Sequence, residues 1–300
     1  MQNPLKRLFW FFFVLAGFLT AAVWTSAIRK GGSGEPAPAG DALRIVSLAP
    51  NLTEILFAMG VGEFVVGVSS DSDYPPEAAR CKKVGSFWNP DIEGVLAARP
   101  TLVVTLGLEQ QTRLAEVLEK RGCRTLRLDV DTIEQLYEGI EAVGAAIGRP
   151  QAAADLVRQI REGLEAFRGR ARGCARRAVW VVQRQPLRAA GKQTYFSELL
   201  ELVGAVNAVE APFAFPPLSE EQFLSSGAEV ILETADSATD LLRQRATAES
   251  FYSRFRGLPA VANGRIYVLD GDLLCRLGPR IPLAMKEIVR CLCPDGGGAE

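Results

Sequence analysis

Through the first half of the chain, short apolar runs alternate with longer amphipathic segments. Arg44–Leu48, Phe64–Val68, Leu102–Thr105 and Thr125–Leu128 are runs of four or five mostly apolar residues. Bounded by turn residues, such runs read as strands buried in a sheet. Helices are predicted between them. In PNLTEILFAMG, Asn51 and Glu54 have capping-box spacing, Ile55, Leu56 and Met59 follow at helical spacing, and Gly60 ends the pattern. A second helix opens at Asn89-Pro90-Asp91-Ile92-Glu93, with Asn89 as cap and Pro90 in the first turn, and a third covers Gln111–Arg121. From about Thr132 to Arg170 the pattern is helical and amphipathic. The alternation then restarts, with strands at 178–182, 230–233 and 265–269 and helices at 195–203, 219–225, 246–256 and 282–291. Strands separated by helices imply βαβ units and parallel sheets.

The two halves repeat each other. TEILFAMG (53–60) aligns with SELLELVG (197–204), and PDIEGVLAARPTLVV (90–104) with LSEEQFLSSGAEVIL (218–232). Glu93 then falls on Glu221. Two matched blocks in the same order point to a duplicated α/β lobe. The expected division is an N-terminal lobe at 43–146, an interdomain helix at 147–174 and a C-terminal lobe at 175–295. Two such lobes form a cleft, and clefts at domain interfaces are where ligands bind.

The first residues are a separate matter. Lys6 and Arg7 precede a nearly continuous apolar run from Leu8 to Trp24, and Thr25-Ser26-Ala27 offers small residues for cleavage after Ala27. The run is also long enough, at roughly 17–20 residues, to span a bilayer. Residues 1–27 are therefore a signal peptide or an N-terminal membrane anchor, and either one exports the rest of the chain. No cysteine is present there to carry a lipid. The Gly, Pro and Ala-rich stretch at 28–42 reads as a flexible linker.

Composition narrows the chemistry. The 300 residues are 48% hydrophobic and 23% charged, with a formal net charge of −1. A balanced chain disfavours nucleic-acid binding. There is no histidine, which removes Ser-His-Asp and Cys-His nucleophile systems and His-ligated metals. GKQT at 191–194 resembles the end of a P-loop, but Pro186 stands where the motif needs glycine. No enzyme is expected, and no cofactor. The six cysteines lack CxxC spacing, so disulfides or buried thiols are the reading, with Cys81–Cys123 as the expected pair.

RIVSLAPNLTEILFAMG, SSDSDYPPEA, VGSFWNPDIEGVLAARPTLVV, GKQTYFSELLELVGAVNAV and GPRI resemble the helical-backbone periplasmic substrate-binding proteins of ABC importers for cobalamin, ferric siderophores and haem. The likeness covers about residues 43–291 and is strongest to the cobalamin-binding members. It implies an α/β fold of two Rossmann-like lobes with parallel sheets joined by a long connecting helix. It also implies an exported, periplasmic monomer that hands a metal-chelate ligand to an ABC permease and its ATPase, touching the membrane only through its N-terminal segment. Residue by residue, the resemblance makes Glu93 and Glu221 the permease-docking acids, Trp88 and Phe215 aromatic ligand contacts, and Asp272 and Arg276 polar contacts.

This chain departs from the pattern at three contacts. Asp71 stands in place of a tyrosine, Leu106 in place of a tryptophan and Arg188 in place of a phenylalanine. With Arg184, Arg276 and Arg280, Arg188 would suit an anionic ligand such as a catecholate siderophore, because guanidinium binds oxyanions well. Pairing of these arginines with Glu201, Asp270 or Asp272 is the structural alternative. Cobalamin is the leading ligand. A ferric siderophore or haem is the alternative, as is a membrane-tethered sensor built on the same fold.

Overall fold

The computed structural model describes residues 42–174, 177–235 and 240–294. The expected leader and all but the last residue of the expected linker lie outside them. Among the described residues no helix is long and apolar enough to cross a membrane. The chain forms two compact units. One runs to Gln159 and includes Leu277–Pro279; the other comprises Ile160–Arg276 and the residues from Arg280 on.

The N-terminal unit follows β1 (Ile45–Ser47), α1 (Pro50–Ala58), β2 (Val65–Val68), α2 (Ile92–Ala97), β3 (Leu102–Leu106), α3 (Glu109–Lys120), β4 (Thr125–Leu128) and α4 (Ile133–Ala146). Its sheet has the order β2-β1-β3-β4 and every pair is parallel. Val46, Val103, Val84 and Val95 form one core cluster with Leu114 and Leu118 from α3. These are the apolar runs of the sequence, buried on both faces as a parallel sheet demands.

Helix α5 (Pro150–Glu165) carries the chain from one unit to the other. Its first half sets Ala153 tightly against Gly144, and its second half sets Gly163 against Pro282. Only glycine allows either approach. The C-terminal unit continues with β5 (Arg177–Arg184), β6 (Leu187–Ala189), α6 (Tyr195–Val203), β7 (Val206–Asn207), α7 (Glu220–Ser225) and β8 (Val230–Ala235). It ends with α8 (Leu241–Tyr252), α9 (Pro259–Ala262), β9 (Ile266–Asp270), α10 (Gly271–Leu274) and α11 (Ile281–Leu292). The sheet order is β6-β5-β8-β9, parallel except for the β5–β6 hairpin, and β7 pairs with the start of β5. Both repeated blocks occupy the same elements in their units: α1 and α6, then α2 with β3 and α7 with β8.

Three expectations need correction. Helix α1 is capped by Ala49, with Pro50 in its first turn. Asn51 and Glu54 are buried inside the helix, and the Asn51 amide donates to the Leu277 carbonyl oxygen (3.3 Å) instead of capping. Helix α2 begins two residues later than the Asn89 reading. Asp91 is the cap, accepting from the Glu93 N–H at 3.1 Å, because Asn89 is held in the preceding turn by Ser86. Cys81 and Cys123 are both free, and the disulfide joins Cys174 to Cys293. Cys81 follows the β2 side of the sheet and Cys123 enters β4 at the opposite edge. Three strand spacings separate those edges, about 14 Å, twice the reach of a disulfide.

Candidate functional site

Ligands of parallel α/β sheets bind outside the carboxyl ends of the strands. In the N-terminal unit, Asp71 follows the carboxyl end of β2, Leu106 is the last residue of β3, and Trp88 lies in the loop that leads to α2. The Trp88 loop is tightly built. Ser86 N–H donates to the Asn89 carbonyl oxygen (3.1 Å), and Asn89 N–H donates to the Ser86 hydroxyl (3.0 Å). Gly85 enters the turn at φ 90°, where a Cβ would collide with the backbone of Asp91. Phe87 turns into the core, 4% exposed. Trp88 stays half-buried and packs edge-on against the Phe87 ring at 4.7 Å.

Asp71 accepts the Phe87 N–H at 2.7 Å. Gln111, from α3, is fully buried. Its side-chain oxygen accepts from Leu106 N–H (2.9 Å) and the Thr105 hydroxyl (2.5 Å), and its amide donates to the carbonyl oxygens of Leu48 (3.3 Å) and Phe87 (3.0 Å). One side chain thus ties the exits of β1 and β3 to the Trp88 loop. The sequence reading missed Gln111. Its only signal is a polar residue on the apolar face of an amphipathic helix.

In the C-terminal unit, Phe215 lies in the loop between β7 and α7, half-buried. That loop is pinned from behind. Gly191 N–H donates to the Ala214 carbonyl oxygen (2.8 Å), Lys192 N–H to that of Ala211 (3.2 Å), and the Arg188 guanidinium to that of Phe215 (3.1 Å). A Cβ at Gly191 would collide with the Phe213 carbonyl oxygen. Asp272 sits in the first turn of α10, directly after β9; its carboxylate accepts from Arg276 at 2.8 Å, and its carbonyl oxygen accepts from Arg280 at 3.2 Å.

Arg184 closes β5 and grips Glu233 of β8 with three nitrogen–oxygen distances of 3.0, 3.1 and 2.6 Å. The buried Tyr252 hydroxyl donates to the same carboxylate. Burial, and then the charge of Glu233, pushes the Tyr252 phenol well above its ordinary range and keeps it a donor. Arg184 therefore pairs with Glu233, which the sequence reading did not consider, while Arg276 does pair with Asp272. Among the described residues no three His, Cys, Asp or Glu side chains gather to hold a metal ion.

Glu93 and Glu221 occupy equivalent places. Each is the second residue of its helix, after the caps Asp91 and Ser219, and each is exposed. Carboxylates are favoured there by the helix dipole, by about 0.3–1 kcal/mol.

Three comparisons place the chain. A curated relative from Salmonella choleraesuis, a vitamin B12-binding protein, is 28% identical over 251 residues, covering 83% of this chain and 90% of its own. An uncharacterized ABC transporter substrate-binding lipoprotein of Bacillus subtilis, YvrC, is 28% identical over 260 residues, covering 84% and 80%. The periplasmic heme-binding protein RhuT from Roseiflexus is 27% identical, with a TM-score of 0.72 and coverage of 84% of this chain and 98% of its own. The periplasmic binding protein profile matches residues 45–273, and with its two parallel-sheet units the chain belongs to the periplasmic binding protein family, a family of binders and not of enzymes.

Proposed function

We propose that this protein is the exported substrate-binding component of an ABC importer and that its ligand is cobalamin. The observation that carries the ligand choice is the engagement of all four candidate arginines. Arg184 is held by Glu233, Arg276 by Asp272, and Arg188 and Arg280 by the carbonyl oxygens of Phe215 and Asp272. An anionic catecholate siderophore would have to compete for those guanidinium groups. A corrinoid offers a large apolar face and a rim of neutral amides. Trp88 and Phe215 are the aromatic residues read as contacts for such a face. Asp272 and Arg276, whose charges already offset each other, form a neutral polar surface suited to amide N–H and C=O groups rather than to an anion. The B12-binding relative supports the same choice. An oxidising, extracytoplasmic compartment suits the Cys174–Cys293 disulfide.

Cyanocobalamin titrated calorimetrically into the protein is expected to bind one to one, and Trp88→Ala to weaken it at least tenfold, since a stacked aromatic contributes about 1 kcal/mol beyond the area it buries. Silence with cyanocobalamin alongside tight binding of haemin or a ferric catecholate would replace the ligand. The two helix-start acids are read as permease contacts. Glu93→Ala combined with Glu221→Ala is expected to leave cyanocobalamin affinity unchanged and to abolish uptake into vesicles carrying the permease and ATPase. Undiminished uptake removes the docking role.

A further inference from the structure

We infer that Asp71 and Gln111 are positioning residues that together fix the direction of the Trp88 indole. The inference rests on Trp88 being a ligand contact. Its warrant is the backbone of Phe87, the residue just before Trp88. The N–H of Phe87 donates to the Asp71 carboxylate at 2.7 Å, and its carbonyl oxygen accepts from the Gln111 amide at 3.0 Å. Both polar groups of one residue are therefore held by side chains that approach from different elements, one leaving β2 and one on α3. The first bond holds the Ser86–Phe87 peptide plane and the second holds the Phe87–Trp88 plane, so the backbone that leads into Trp88 is held on both sides of Phe87.

Gln111 is itself immobile. Its oxygen accepts from two donors and its nitrogen donates to two carbonyl oxygens, so all four bonding directions of the amide are used. It is fully buried, where losing any of these bonds is costly. The Phe87 ring, packed into the core, anchors the same residue on its apolar side. A half-buried indole on such a mount pays little ordering entropy when a ligand arrives, and pre-organisation of this kind raises affinity without adding a contact. On this reading Asp71 acts on the ligand through Phe87 and Trp88, not by touching it.

Conservative and disruptive variants of the full-length protein separate the two roles. Asp71→Ala removes the acceptor for the Phe87 N–H, and is expected to weaken cyanocobalamin binding about three- to tenfold, the effect of one hydrogen bond. Asp71→Asn keeps an acceptor oxygen and is expected to restore binding; a loss as large as that of Asp71→Ala would mean that the charge meets the ligand directly, and would overturn the inference. In a Trp88→Ala background, Asp71→Ala and Gln111→Met are expected to cost no further affinity, whereas equal losses with and without Trp88 would also overturn it. A readout without ligand completes the test. In protein labelled with 5-fluorotryptophan, the Trp88 fluorine resonance, assigned by its loss in Trp88→Phe, should be single and sharp. It should broaden or double in Asp71→Ala and in Gln111→Met. If the native protein ignores cyanocobalamin, the ligand reading falls and this fluorine spectrum alone decides the clamp; an unchanged resonance in both variants refutes it.

Discussion

Arg184→Met is expected to cost about 3–5 kcal/mol of folding stability, the range for removing one partner of a buried ion pair, and to cost more than Glu233→Gln. The asymmetry comes from exposure. The Glu233 side chain is 6% exposed and that of Arg184 26%. Without Arg184, the carboxylate keeps the Tyr252 hydroxyl and stays almost entirely shielded from water. Without the Glu233 charge, the guanidinium can turn outward, and the glutamine amide still accepts from Tyr252, so about 1–3 kcal/mol is expected. The lost groups also stitch β5 to β8 and to α8, so the damage should centre on the C-terminal unit. Urea unfolding of the two single variants, and of a double variant with Glu233→Leu, measures this directly. Arg184→Met/Glu233→Leu should be more stable than Arg184→Met alone, because the orphaned charge is gone. If Glu233→Gln proves the costlier single change, the carboxylate is better solvated than its burial implies. Cyanocobalamin affinity should survive in every folded variant; its collapse in Arg184→Met would return the arginines to the ligand.

Much of this architecture is readable from the chain because parallel sheets bury both faces. Ile45–Ser47, Leu102–Leu106 and Val230–Ala235 lie within or around apolar runs too short for helices, and the helices between them show amphipathic spacing. The stretch from about Thr132 to Arg170, read only as helical, is two helices, Ile133–Ala146 and Pro150–Glu165. Thr132 forms a capping box with Gln135, and Pro150 opens the next helix. The strands β6 and β7 escape the sequence reading: Arg188 interrupts the first and Asn207 ends the second, so neither shows an apolar run like the one around the comparably short β1. Caps failed at Asn51 and Asn89 for one reason. A capping residue is recognised by its type, but its job is decided by where the backbone enters the helix, and Ala49 and Asp91 hold those places.

The candidate site divides along the same line. Residues displayed by loops, such as Trp88 and Phe215, are visible in the sequence through their motifs. Residues that hold the loops are not. Gln111 looks like one polar residue among several in EQQTRLAEVLEK. Glu233 is more legible in retrospect, as a lone acid in an apolar strand, but its partner Arg184 lies 49 positions away. Pairing across such distances, like that of Cys174 with Cys293 over 119, depends on which strands become neighbours, and local pattern does not encode that.

The unpaired thiols give the second large effect, an alkaline loss of stability. Burial pushes Cys275 and Cys291 up from the ordinary 9.0 to about 12 each. The unfolded chain then releases these protons near pH 9, whereas the folded protein holds them to about pH 12. In that window the folded state binds more protons than the unfolded state, so stability falls as pH rises. A fully titrating thiol contributes a slope of just over ~1 kcal/mol per pH unit, so the two together remove up to about 3 kcal/mol per unit once the pH is well above 9. That is large against a total of about 5–15 kcal/mol. Tyr252, also held protonated by burial, adds a loss of the same sign at the upper end. The paired Cys174 and Cys293 do not titrate and contribute nothing. Urea midpoints taken from about pH 7.5 to 10.5 should therefore be flat at first and then fall steeply. In Cys275→Ala/Cys291→Ala, most of the fall below about pH 10 should vanish, although the variant starts less stable because two small cavities remain. An unchanged alkaline slope in that variant would mean that the thiols ionise in the folded protein, and that water reaches the ends of α10 and α11 where they sit.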